Sequence, residues 1–176
     1  NLGCQHCFRH GVVALAGIFL DEAYWPAFKL STPSAHDYTP DTAATLPLGG
    51  GTLLSRSTAE AISVVDLQPL GLNHIHKKGN NLEIGATVTL QQLLESEQCP
   101  ESLIKTLKLE APLNLRNSAT VAGTLISCDG RSTFACALLA LDVKIEIQSF
   151  NSEPRILNIG EFLPLRPPGL ITQVTM

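Results

Sequence analysis

Two segments of small and hydroxyl side chains constrain this chain more than any other part of it. One reads Leu48-Gly49-Gly50-Gly51-Thr52; the other reads Leu115-Arg116-Asn117-Ser118-Ala119-Thr120-Val121-Ala122-Gly123-Thr124. Glycine admits positive φ and carries no side chain, so consecutive N–H groups in such loops can turn outward as an anion-binding nest. A lone glycine triplet is most often only a turn. Two such loops in one chain predict a phosphate-rich ligand gripped from two sides.

The segments around the loops predict an α+β fold. Ile62 to Leu67 reads as a buried strand, which with the Leu48–Thr52 loop makes a small parallel unit. Leu82 to Val88 alternates as a half-buried strand, and Thr89 then caps a helix through Leu90, Leu93 and Leu94, with Gln92 completing a capping box. Ser102 to Ala111 carries an amphipathic stripe (Leu103, Ile104, Leu107) that ends before Pro112. Thr133 to Leu141 is a compact apolar helix. Val143, Ile145 and Ile147 alternate with Lys144, Glu146 and Gln148 as the clearest strand, with Arg155 to Leu157 returning beside it across a turn at 151–153. Pro167-Pro168-Gly169 then leads into a last strand through Val174. Residues 41–75 thus form a small α/β lobe and 76–176 a larger one, while 1–40 carry no readable pattern.

Composition excludes several function classes. A net charge of −4 and 5% aromatics speak against a nucleic-acid binder, which needs cations for phosphates or rings for bases. The apolar run from Gly11 to Leu20 is about half of a membrane span and lacks a signal peptide's flanks, so it reads as a buried strand or short helix. Five cysteines (Cys4, Cys7, Cys99, Cys128 and Cys136) make no disulfide framework and point to free thiols in a reducing cytoplasm. Cys4 and Cys7 with His10 lack a second ligand pair for a metal. No metal site, general base or nucleophile is expected.

Taken in order, the motifs resemble those of the flavin-binding domain of the molybdenum hydroxylases, a group that includes the medium subunit of aerobic carbon monoxide dehydrogenase and the flavin part of xanthine dehydrogenase. That family's Ala-Gly-Gly-Thr-Asp-Leu loop corresponds to Gly49-Gly50-Gly51-Thr52-Leu53-Leu54, and its Ile-Gly-Ala-x-x-Thr strand to Ile84-Gly85-Ala86-Thr87-Val88-Thr89. Its Ile-Arg-Asn-x-Ala-Thr-Ile-Gly-Gly-Asn hallmark corresponds to residues 115–124, and Leu-Leu-Ala-Leu-Asp-Ala to Leu138 through Val143. The match runs from about Thr45 to the C-terminus.

The resemblance implies a PCMH-type FAD-binding fold: a small parallel α/β lobe plus a larger lobe with a mostly antiparallel sheet and flanking helices. FAD would lie between the lobes. Leu48, Gly49, Gly50, Gly51, Thr52 and Leu53 would hold its pyrophosphate from one side, and Thr120, Ala122, Gly123 and Thr124 from the other, with Thr133 where the family often has a cofactor-bonding aspartate. A molybdenum-cofactor subunit and a [2Fe–2S] subunit are the implied partners, and electrons would pass through flavin to NAD, a quinone or dioxygen. Leu53, Ala122, Thr124 and Thr133 depart from the usual family residues. They motivate the other reading, a non-enzymatic assembly module that keeps the fold without flavin.

Other polar residues have simpler readings. Arg116 is balanced between touching cofactor or partner and capping the preceding helix. Asp142 reads as a turn residue, His74 and His76 as part of a solvated hairpin tip, and Cys128 and Cys136 as small buried hydrophobes.

Overall fold

Short segments in which apolar residues alternate with polar ones or stand side by side form the strands of this molecule, and a computed structural model describes residues 46–52, 64–149 and 153–176. Leu53, the Gly11–Leu20 run and the Cys4, Cys7 and His10 group lie outside the described residues. Strand β1 (Leu46–Leu48) pairs in parallel with β2 (Val64–Asp66), Leu46 opposite Val64. This two-stranded ribbon carries the glycine loop at its end. A 3₁₀ turn (Gln68–Leu70) closes on Gly71 in the left-handed region and leads out of it.

The second sheet has five strands: β3 (Ile75–Lys78), β4 (Asn81–Gly85), β5 (Lys144–Gln148), β6 (Arg155–Asn158) and β7 (Leu170–Thr175). Their order is β3-β4-β7-β5-β6, antiparallel throughout. The alternation of β5 does what period two requires: Ile145 and Ile147 are buried while Lys144 is exposed. The β5–β6 pairing sets Ile145 opposite Leu157, although 150–152 of the connecting turn lie outside the described residues.

Among the described residues six helices cover the sheet: α1 (Leu90–Glu95), α2 (Glu101–Glu110), α3 (Leu113–Arg116), α4 (Val121–Ser127), α5 (Thr133–Ala140) and α6 (Ile159–Leu165). Helix α1 starts with the expected capping box, in which Gln92 N donates to Thr89 Oγ1 (3.1 Å) and Thr89 N donates to Gln92 Oε1 (2.8 Å). Leu103 and Leu107 of α2, Phe134 and Leu138 of α5 and Phe162 of α6 all pack into one core with Ile84, Ile145, Ile147, Ile171 and Val174 of the sheet. Each such side chain contributes about 1.5–3 kcal/mol through its burial. The core therefore fixes the larger sheet and its helices as one body.

Several expectations need correction. The strand expected over Leu82–Val88 ends at Gly85: Ala86 N still reaches Thr172 O of β7 (3.1 Å), but Thr87 N turns away to Leu72 O (3.0 Å), which ends the ladder. The segment 115–124, expected as a loop, ends one short helix and begins another; Thr120 caps α4 by accepting from Gly123 N. Helix α6 falls where no helix was expected. His76 lies within β3 and not in a loop. Cys136 is exposed, because it lies on the outward face of α5, and Cys128 is only half-buried. Asp142 is a turn residue with φ of 48°, as its position suggested.

Candidate functional site

The glycine loop and the start of α4 meet at a cleft between the two sheets. The loop contributes Gly49, Gly50 and Thr52, and the α4 segment contributes Thr120, Ala122 and Gly123. Ala86 and Thr87, just beyond β4, form its floor with Leu170 and Ile171 at the start of β7, and Leu67 closes the ribbon side. The cleft opens to solvent.

The loop is held by backbone geometry. Gly51 has φ of 86°, where a side chain is strained, and it is buried. Gly50 is pressed so closely on the second segment that a Cβ there would lie 1.5 Å from Ser118 O. A Cβ on Gly49 would lie 3.0 Å from Thr120 Oγ1. Gln68 Nε2 donates to Gly49 O (3.3 Å) and Leu67 N to Leu48 O (3.0 Å), which ties the loop to its own ribbon. Among the described residues, the amides of Gly49, Gly50 and Gly51 have no hydrogen-bond acceptor. Three adjacent free donors on a rigid turn are what an anion would engage.

The second segment differs from the expectation of outward amides. Val121 N donates to Val88 O (2.8 Å), Ala122 N to Ala86 O (3.2 Å), Gly123 N to Thr120 Oγ1 (3.1 Å) and Thr124 N to Thr120 O (2.8 Å). Those donors are used inside the protein. What the segment presents instead is the buried Thr120 side chain, whose oxygen accepts from Gly123 N and whose hydrogen remains available. The Thr124 hydroxyl is already donated to Thr120 O (2.8 Å).

Of the expected site residues, Leu48, Gly51, Thr124 and Thr133 do not line the cleft. Gly51 shapes the loop, and Leu48 lies at the end of β1. Thr133 sits at the start of α5, its hydroxyl 3.0 Å from Thr106 O and 3.1 Å from Glu110 Oε2. The Glu110 carboxylate also accepts from Ser132 Oγ (3.0 Å) and Phe134 N (2.8 Å), so it caps α5 with a negative charge at the positive end of the helix. Arg116 donates to Ala111 O (2.6 Å) just past α2 and to Gln91 Oε1 (2.9 Å), which makes it a tie between helix ends. Sequence reasoning did not single out Ala86, Thr87, Leu170 or Ile171. The small residues directly after Gly85 were the available signal for the first two.

Away from the cleft, Arg166 holds an αL cap at φ of 40° and joins two helix ends: its guanidinium donates to Ile126 O and Cys128 O past α4 and to Leu163 O of α6. Burial pushes the Cys128 thiol above its ordinary pKa, against the pull of Arg166. Burial likewise raises that of Cys99. Among the described residues no cluster of histidine, cysteine or carboxylate side chains could hold a metal ion, and no helix is long and apolar enough to cross a membrane.

Comparison with known proteins agrees with this architecture. Residues 31–175 match the family described as the FAD binding domain in molybdopterin dehydrogenase. Among solved structures, quinoline 2-oxidoreductase from Pseudomonas putida 86 superposes with a TM-score of 0.64 at 20% identity, over 75% of this chain and 51% of that one. Reconstituted CO dehydrogenase from Oligotropha carboxidovorans gives 0.62 at 23% identity, over 75% and 51%. Carbon monoxide dehydrogenase from Hydrogenophaga pseudoflava gives 0.65 at 19%, over 75% and 50%. The chain spans about half the length of these solved chains. No curated protein matches it.

Proposed function

The chain belongs to the family of FAD-binding domains in molybdopterin dehydrogenases, and from that premise we propose that it holds FAD in the cleft, with the diphosphate at the amides of Gly49, Gly50 and Gly51. The observation that carries this reading is the contrast between the two loops. Every amide from Val121 to Thr124 is spent on the fold, whereas three consecutive glycine amides have no partner among the described residues. A charged oxygen arriving there gains hydrogen bonds without breaking any within the described fold, in exchange for those each side made to water. The remaining length of the ligand would lie across the second lobe.

In this reading Gly51 sets the direction of the amides and Gly50 brings the loop against Ser118. Thr120 supplies a hydroxyl from the opposite wall. Leu67, Ala122, Leu170 and Ile171 exclude water from the inner side. Bound FAD supplies one- and two-electron redox chemistry, and the protein positions it. No residue of this chain is assigned as general base or nucleophile. We place the module in an electron relay between an iron–sulfur partner and NAD, a quinone or dioxygen, alongside a molybdenum-cofactor subunit, in the reducing cytoplasm. The family membership and the free thiols of Cys99, Cys128 and Cys136 support that placement.

One observation favours the assembly-module reading: Thr133 and Thr124 both spend their hydroxyls on internal partners. Titration with FAD, followed by quenching of flavin fluorescence and competed with ADP, separates the two readings. Saturable quenching that ADP reverses is the expected result. A folded chain that leaves flavin emission unchanged would put the assembly module first.

A further inference from the structure

Thr87 raises a question that the fold does not answer. Its Oγ1 is, among the described residues, the only buried side-chain oxygen or nitrogen without a hydrogen-bond partner. The residue is 3% exposed and lines the cleft. Its position is fixed, since Thr87 N donates to Leu72 O (3.0 Å), while Ala86 N and Val88 N on either side donate to Thr172 O and Gly85 O. Ala86 and Val88 are buried and apolar. A valine, nearly the same shape, would spare this wall an unpaired hydroxyl.

We propose that the Thr87 hydroxyl is a ligand contact, donating to an oxygen of the diphosphate held by the glycine loop. The assignment rests on the reading of the cleft given above and adds a residue to it. Among the described residues, the polar groups that line the cleft are backbone amides and threonine hydroxyls. Each neutral donor that faces an anion there adds to its hold. Thr120 offers one hydroxyl from the α4 side, and Thr87 offers a second from the floor. The threonine thus trades a little stability of the empty chain for affinity.

That trade gives the test two signs. Thr87→Val and Thr87→Ser are compared with the unaltered chain by calorimetric titration with FAD and, separately, with ADP, which carries the same diphosphate without the flavin. Melting is followed without ligand. Thr87→Val is expected to bind both ligands about tenfold more weakly or worse, to melt no lower than the unaltered chain, and Thr87→Ser to retain affinity. Unchanged affinity of Thr87→Val overturns the proposal while the FAD reading stands. A loss confined to FAD overturns the diphosphate assignment, and a lower ligand-free melting point shows that the hydroxyl serves the fold. An unaltered chain that binds neither ligand removes both the FAD reading and this one.

Discussion

Three neighbouring glycines serve three different needs. Gly51 needs its backbone in the left-handed region, Gly50 needs the absence of any atom between its Cα and Ser118 O, and Gly49 has only a tight contact with Thr120 to respect. Gly51→Ala is therefore expected to destabilise the chain by about 1–2 kcal/mol, from the cost of an alanine at positive φ. Thermal or urea unfolding measures it, and a variant as stable as the parent would contradict the positive φ. The sequence shows that this stretch is glycine-rich, but nothing in it says that Ser118 is the neighbour of Gly50. That contact joins segments far apart in the chain and exists only once the lobes have packed. Thr87 escaped notice for a similar reason: in a strand-like run its hydroxyl looks ordinary until its surroundings prove empty of partners.

At the scale of elements, the start of α5 depends on a residue from another helix. Glu110 closes α2 and accepts from Ser132, Thr133 and Phe134, so Glu110→Ala leaves the α5 N-terminus without its anionic cap. The expected loss is about 1–3 kcal/mol, with Glu110→Gln recovering part of it. A melting curve of Glu110→Ala coincident with the parent's would remove the cap from the account. Cysteine reactivity provides a second element-level check. Iodoacetamide at pH 8 is expected to label the exposed Cys136 ahead of Cys99 and Cys128. Cys99 and Cys128 should lag, because burial raises their pKa and thins their thiolate population at that pH, with labelling rising as pH climbs. Mass spectrometry of the labelled peptides reads the order, and Cys128 reacting ahead of Cys136 would contradict it. Long periodic elements such as α2 and β5 were legible because burial on one face writes their period into the sequence. Helices α4 and α6 were not: Gly123 in one and Gly160 with Pro164 in the other interrupt short patterns, and tertiary packing overrides the weak propensity.

For the whole molecule, the two sheets matter through the cleft they leave between them. The five-stranded sheet and its helices fix the floor and one wall, and the parallel ribbon brings the glycine loop to the other. The pair of loops was visible in the sequence, yet their division of labour was not. Pairing of the α4 amides with Ala86, Val88 and Thr120 is decided by how that helix docks, so the expected two-sided amide grip becomes one amide loop facing hydroxyls. This asymmetry is the central claim. Its most direct test is an amide-resolved NMR titration of the chain with FAD, with ADP in parallel. Both ligands are expected to shift the amides of Gly49, Gly50 and Gly51 most strongly, with smaller changes at Thr87 and Thr120. Saturable shifts centred elsewhere, such as on the β3–β4 hairpin, or no shifts at all, would contradict it.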